Sequence, residues 1–345
     1  MSRKLITIST IMTLMSTSVI ADVPNVAADI APIHSLVSRV MDGVGAPKLI
    51  VQSGASPHGY RLRPSEAKAL QDADHVFWMG EELTPWLDSA IGTLASKASV
   101  TTLLDQQGVI LHDFREGALF EAHDHSAHGD DDHDDHDDHD DHDDHKDHDD
   151  HDDHDDHKDH DDHDDHDDHD DHDDHGSHDP HAWLSPENAK LWLNIIASKL
   201  SVSDPENAAT YFMNAAAGQA EIEAMIAEVK ATLKPVQGGK FVVFHDAYQY
   251  FENDFDFYAS GAISLGDSSD PSPARIEKVQ KRIRDEGIQC VLAEPQFKKG
   301  LVATVMEGSD ATASVIDPLG AELETGPKLY TRLIKNMAKT LRNCL

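Results

Sequence analysis

A tract of histidine and aspartate, from His123 to His175, limits most strongly how this chain can fold. It consists almost wholly of His, Asp and a few Lys, mostly in an H-D-D repeat. Residues 124–179 hold 31 Asp and two Lys, so this segment carries −29 of the formal net charge of −37. Like charge at this density resists collapse, and we expect the tract to be disordered. The fold must therefore come from the sequence on either side of it.

The charge outside the tract is unremarkable. Subtracting −29 from −37 leaves −8 for the rest of the 345 residues, which is ordinary for a soluble protein. An acidic balance argues against nucleic acid as a partner, since the phosphate backbone requires basic surfaces. The length allows two domains of ordinary size.

The first 21 residues have the pattern of a cleavable signal peptide. Arg3 and Lys4 precede a mostly apolar run that ends at Ile20, and Ala21 closes a small-residue cleavage site. A membrane anchor would need a longer apolar span, and no Cys follows the run to carry a lipid. We expect an exported chain that begins near Asp22 and has no stable membrane insertion.

Two cysteines, Cys290 and Cys344, are present. In an exported chain a lone pair is most simply a disulfide. The alternative is a metal site with two sulfur ligands, although no other Cys completes a usual sulfur site.

Short apolar runs alternate with helical patterns on both sides of the tract, which predicts an α/β fold with mostly parallel sheets. A long stretch with helical spacing follows the tract and has the length of a spine between two lobes. The predicted organisation has four parts: a signal peptide at 1–21, an N-terminal lobe at 22–203 with the His/Asp insertion at about 113–178, a linking helix at 204–235, and a C-terminal lobe at 236–345.

Four residues are candidate metal ligands: His58, His181, His245 and Asp317. Each follows a short apolar run or lies in a loop, and ligands collect beyond the carboxyl ends of parallel strands. Three neutral imidazoles and one oxygen suit tetrahedral Zn²⁺. The four are spread over both lobes, so a cleft between the lobes is the predicted site.

The tract adds a second kind of metal binding. His at every third residue offers transient sites of two or three imidazoles, and Asp raises the local cation concentration. The accessory ligands predicted there are His123, His125, His128, His133, His136, His139, His175 and His178. Such sites should be weaker than a preformed cleft and open to Cu²⁺ or Ni²⁺ as well. The tract would collect metal or sense a surplus, or it is an expendable insertion.

Five segments together carry a resemblance to a known family: Gly54-Ala55-Ser56-Pro57-His58, Asp179-Pro180-His181-Ala182-Trp183-Leu184-Ser185-Pro186-Glu187, Phe244-His245-Asp246-Ala247-Tyr248-Gln249-Tyr250-Phe251, Ala293-Glu294-Pro295-Gln296-Phe297 and Ile316-Asp317-Pro318-Leu319-Gly320. With the internal His-rich insertion, they resemble the ZnuA family, the zinc-uptake solute-binding proteins that serve ABC importers. The resemblance covers nearly the whole mature chain.

The resemblance implies two (β/α) lobes bridged by a long rigid helix, with His58, His181 and His245 ligating zinc in the cleft. Manganese-binding relatives carry a carboxylate in place of His245, so a histidine there favours zinc. Those relatives use an Asp that matches Asp317, whereas zinc-binding members use water or a Glu, so the fourth ligand stays open. Cys290 and Cys344 match a disulfide of close relatives. A periplasmic location, a monomer and an inner-membrane ABC permease as partner are also implied.

Two other functions remain as alternatives. A zinc hydrolase also uses three His and an open position, but it requires a general base, and no H-E-x-x-H motif is present. A metal buffer would depend on the tract alone, and it would lose all tight binding when the tract is deleted. The leading hypothesis is a zinc carrier, which is not an enzyme.

Overall fold

A computed structural model of the chain describes residues 23–115, 120, 178–264, 271–296 and 299–345. The proposed signal peptide and all but His178 of the proposed accessory ligands lie outside these residues. None of the described helices has the length and apolar character to cross a membrane.

The first sheet contains four parallel strands, in the order β2-β1-β3-β4. They are β1 (Val26–Ala28), β2 (Lys48–Leu49), β3 (His75–Trp78) and β4 (Ser99–Thr102). The helices that alternate with them are α1 (Ala31–Val40), α2 (Pro64–Gln71) and α3 (Pro85–Leu94). Each of these helices has Pro in its first turn, where the missing N–H costs nothing.

Two consecutive helices follow the tract: α4 (Pro186–Ser203) and α5 (Ala208–Leu233). The Ser185 side chain caps α4 by accepting a hydrogen bond from the Asn188 N–H at 3.3 Å. The predicted helix at 204–235 is shorter than expected at both ends. Pro205–Asn207 and Lys234–Val236 form 3₁₀ turns instead, since Pro is tolerated at a helix start but not inside it.

The second sheet repeats the first, with four parallel strands in the order β6-β5-β7-β8. They are β5 (Phe241–His245), β6 (Ala262–Ser264), β7 (Cys290–Ala293) and β8 (Thr312–Val315). Its helices are α6 (Gln249–Phe255), α7 (Pro273–Glu286), α8 (Lys299–Met306) and α9 (Leu329–Cys344). The α/β class with parallel sheets is confirmed, while β6, α6 and α8 had no clear sequence signal.

The long helix α5 packs against α1, α4 and α9 and therefore touches both halves of the chain. One continuous apolar core includes Trp183, Trp192 and Tyr211 together with Tyr250 and Tyr330, all nearly inaccessible to solvent. The two sheets thus form two lobes around a shared helical spine; the boundaries given above for these lobes stay a prediction. The disulfide Cys290–Cys344 is present, with its Cα atoms 5.6 Å apart.

Candidate metal centre

Two of the candidate histidines face each other across the two halves of the chain. His245 is the last residue of β5, and His181 directly precedes the 3₁₀ turn Ala182–Leu184 that leads into α4. Their ring centroids are 5.2 Å apart, and their Nε2 atoms are 3.4 Å apart. Both side chains are buried. In the sequence, His245 ends a buried strand and His181 follows the end of the tract. The fold brings these two residues into contact.

A carboxylate holds the other ring nitrogen of each histidine. His181 Nδ1 lies 2.6 Å from Asp179 Oδ1, and His245 Nδ1 lies 2.5 Å from Glu294 Oε1. Both carboxylates are buried. Because a carboxylate accepts, a neutral ring that donates from Nδ1 keeps its lone pair on Nε2. Two imidazole Nε2 atoms at this distance can serve as ligands of one shared cation.

These carboxylates were not among the predicted site residues. Asp179 has a local signal, since it lies two residues before His181 in the Asp179-Pro180-His181 sequence and also accepts the His181 backbone N–H at 2.9 Å. Glu294 follows β7, the strand beside β5, so only the strand order places it next to His245. Its second oxygen accepts a hydrogen bond from the Gln296 side chain at 2.7 Å. Such partners orient metal-binding imidazoles and raise their basicity.

The third candidate, His58, lies in the loop between β2 and α2. Its ring centroid is 5.6 Å from that of His181, with the planes inclined by 56°. The preceding residue is anchored because the Trp86 indole N–H donates to the Pro57 carbonyl at 2.7 Å. The structure therefore brings the three predicted histidines together, since His58 and His245 each lie beside His181.

Both carboxylate oxygens of Asp317 accept hydrogen bonds from the turn that follows this residue. Its Oδ1 accepts the backbone N–H groups of Leu319 and Gly320 at 3.0 and 2.8 Å, and its Oδ2 accepts that of Ala321 at 2.6 Å. The turn is joined to the His181 segment, since the Trp183 indole N–H donates to the Pro318 carbonyl at 2.9 Å. The role of Asp317 as a ligand stays a prediction.

Spacing within the histidine pair matches tetrahedral zinc. Two nitrogens at about 2.0–2.1 Å from a tetrahedral ion are about 3.3–3.4 Å apart. The His181 and His245 Nε2 atoms are 3.4 Å apart. Within the described residues, no group of three or more His, Cys, Asp or Glu side chains is already arranged to hold a metal ion. The described geometry thus supplies two ligands at the required spacing and a third imidazole beside them.

The described residues on either side of the tract pair with each other next to this centre. Asp113 and His178 form an antiparallel bridge, and their side chains are 2.9 Å apart at Oδ1 and Nδ1. The Asp179 N–H donates to the His112 carbonyl at 2.8 Å, and its carbonyl accepts the Tyr250 hydroxyl at 2.7 Å. We call residues 110–115 and 178–179 the stem. The stem ends at the carboxylate that orients His181.

Comparison with known proteins gives one family. The family model described as "Zinc-uptake complex component A periplasmic" (ZnuA) matches residues 26–344. The high-affinity zinc uptake system protein ZnuA of Brucella abortus is 48% identical over 320 residues, which cover 93% of this chain and 91% of that protein. The protein of the same name in Paracoccus denitrificans is 44% identical over 326 residues, with 94% and 93% covered.

A solved structure of a protein with the same name has a fold similar to that of this chain. A crystal structure of ZnuA matches with a TM-score of 0.67 at 20% sequence identity, covering 94% of this chain and 99% of that chain. At that identity the likeness shows the fold alone. The family assignment rests on the sequence identity with the relatives and on the family match over residues 26–344.

Proposed function

The chain belongs to the ZnuA family of periplasmic zinc-uptake proteins, and from that premise we propose that it captures Zn²⁺ between its two lobes and delivers it to an ABC-type permease. The family is one of solute-binding proteins, not enzymes, and Zn²⁺ is its ligand. The proposal concerns where the zinc binds, which residues hold it and how it is passed on.

The observation that supports the site most strongly is the separation of 3.4 Å between His181 Nε2 and His245 Nε2. Both Nδ1 atoms are engaged by carboxylates, so a neutral ring that donates from Nδ1 keeps its lone pair on Nε2, the atom nearest the other ring. Imidazole held in this way is a strong ligand for zinc.

His58 supplies the third ligand in this proposal. The centroid of its ring is 5.6 Å from that of His181, and the residue lies in the loop between β2 and α2. A small rotation of this ring completes a three-imidazole site. The fourth position is taken by Asp317 or by water. Since zinc is cargo, a ligand on a loop gives a direct way to open the site for release.

The tract acts as an accessory collector in this proposal. The described residues that flank the tract, Asp113 and His178, pair with each other one residue before Asp179, which holds His181, so zinc bound at His178 would be close to the cleft. Sites that form only when the chain is ordered around the ion are weaker than a preformed one, and zinc therefore passes toward the cleft. A metal buffer that depends on the tract alone is the competing function.

Zinc titration by calorimetry, with a competing chelator, tests the proposal. The proteins are the mature chain, a variant lacking residues 123–175, and that variant with His58→Ala, His181→Ala or His245→Ala. His75→Gln is the control, since His75 begins β3 and is hydrogen-bonded to Ser203 at 2.7 Å.

We expect one tight site to survive deletion of the tract, to be lost or much weakened in each ligand variant, and to persist in the control. Loss of all tight binding on deletion would contradict the cleft site and favour the buffer. Retention of full affinity in His245→Ala would show that zinc is held elsewhere. Delivery is tested by zinc uptake in cells that carry the permease and each of these variants.

A further inference from the structure

The N-terminal half of the stem crosses from the first lobe to the second. It begins beside α4, where the Asn188 side chain accepts the Ile110 N–H at 2.8 Å. At His112 the backbone N–H donates to the Tyr250 hydroxyl on α6 at 3.1 Å. The segment therefore forms a connection between the lobes in addition to α5.

Arg115 fixes the far end of this segment. Its guanidinium binds two carboxylates at once: Nε lies 3.0 Å from both oxygens of Asp246, Nη1 lies 2.6 Å from Glu252 Oε2, and Nη2 also contacts Asp246. The three side chains are 12%, 7% and 1% exposed for Arg115, Asp246 and Glu252. One cation thus neutralises two buried anions, and Lys cannot reproduce this forked geometry.

An aromatic ring completes the surroundings of Arg115. The guanidinium carbon lies 3.6 Å from the centroid of the Phe120 ring, a cation–π contact. Phe120 is buried, and its carbonyl accepts a hydrogen bond from Arg282 at 3.1 Å. The guanidinium is therefore enclosed by groups of the second lobe and by Phe120.

The carboxylate that Arg115 binds is next to a proposed zinc ligand. Asp246 follows His245 directly, at the point where β5 ends and the loop to α6 begins. Without Arg115, the buried carboxyl groups of Asp246 and Glu252 would lose the cation that both contact, which leaves either uncompensated charge or protonated carboxyls in that space. The loop would move to separate or solvate them, and His245 would move with it.

We propose that Arg115 is a positioning residue for the zinc site, which holds the loop after His245 in place relative to the stem. The same stem ends at Asp179, which orients His181. The stem therefore holds both the carboxylate that orients His181 and the loop that follows His245. This inference rests on the proposed function, because it concerns the affinity of that site.

Arg115→Met in the mature full-length chain tests the inference. Affinity for zinc is measured by competition with a chelator strong enough to leave only the tightest site filled. Half an equivalent of Co²⁺ then gives a visible absorption spectrum that reports the ligand geometry. We expect about tenfold weaker zinc binding, at the low end of the effect of removing a residue that orients a ligand, and an altered Co²⁺ spectrum. Arg115→Lys should recover only part of the affinity.

The matched control is Arg39→Met. Arg39 makes a two-pronged pair with Glu221, at 3.2 and 3.0 Å, and its side chain is 14% exposed. It joins the last turn of α1 to α5, away from the carboxyl ends of the strands. We expect a loss of thermal stability with unchanged zinc affinity and an unchanged Co²⁺ spectrum.

If Arg115→Met does not fold, the inference is tested with a triple variant in which all three charges are removed. This variant combines Arg115→Met, Asp246→Asn and Glu252→Gln. It should fold and still bind zinc more weakly. Zinc affinity within twofold of the parent in the folded variant would overturn the inference, as would an equal loss of affinity in Arg39→Met. His245→Ala in the parent separates the two proposals: if the tight site survives it, the proposed zinc site itself is wrong.

Discussion

Replacing Glu294 with Gln isolates the contribution of the charge that orients His245. The carboxylate oxygen lies 2.5 Å from His245 Nδ1, and its side chain is fully buried. A Gln amide fits the same space and offers an oxygen to Nδ1, while the neighbouring Gln296 amide can turn to accept the new N–H₂ group. The substitution therefore keeps the hydrogen bond and removes the negative charge.

The expected magnitude follows from the nature of this contact. A charge-assisted hydrogen bond is about twice as strong as a neutral one, and substituting a residue that orients a metal ligand lowers metal affinity about 10–100-fold. Glu294→Gln should therefore weaken zinc binding by about 1.4–2.7 kcal/mol. Because His245 remains in place, the number of bound zinc ions should not change. Chelator competition measures the affinity, and stopped-flow dissociation should show faster release.

Asp204→Asn is the control for a buried carboxylate. Asp204 is fully buried and accepts hydrogen bonds from Tyr211 and Asn207 at 2.8 and 2.7 Å. It follows the 18-residue helix α4, so it lies about 25 Å from the start of that helix near His181. We expect lower stability and unchanged zinc affinity. Equal affinity in Glu294→Gln and the parent would refute the orienting role of Glu294.

Three further predictions concern stability. Burial raises the pKa of Asp29 to about 7, so the folded state binds this proton more tightly than the unfolded state does. The resulting stabilisation is present at low pH and is lost as the pH rises toward 7. In urea unfolding with a chelator present, the free energy of unfolding should fall by about 2–3 kcal/mol between pH 5 and pH 8, relative to that of Asp29→Asn. Gly218→Ala should destabilise by about 1–3 kcal/mol because a Cβ there lies 2.9 Å from a leucine side chain, whereas Gly300→Ala meets open space and should raise the melting temperature slightly. Replacing both Cys290 and Cys344 with Ser opens a loop with a sequence separation of 54 and should cost about 4 kcal/mol at most in chemical unfolding, with zinc affinity unchanged.

Features that depend on local pattern were accessible from the sequence. The alternation of short strands with helices gave the fold class, since parallel strands require helical connections. The same rule indicated that His245 belongs at an edge where ligands collect, because it ends a buried strand. The disulfide followed from a lone cysteine pair in an exported chain, and the structure contains it.

Features that depend on which distant segments meet were not accessible. Glu294 is 49 residues from His245, and Arg115 is 131 residues from Asp246. Nothing in the periodicity near either residue specifies its partner, because the contact exists only after β7 pairs with β5 and the stem crosses to α6. Short elements such as β6, with three residues, are also fixed by tertiary pairing rather than by propensity.

An Asp just after a strand, such as Asp317, can be a metal ligand or can close a turn. It lies just after a strand, as a metal ligand would, but its carboxylate accepts three backbone N–H groups within its own turn. An ionised carboxylate has about four lone-pair sites, so about one is left for another bond. A zinc bond from Asp317 is therefore limited to that site, or it breaks a bond that closes the turn. Water in the fourth position requires neither, and it leaves the turn that anchors Trp183 intact while the cargo enters and leaves.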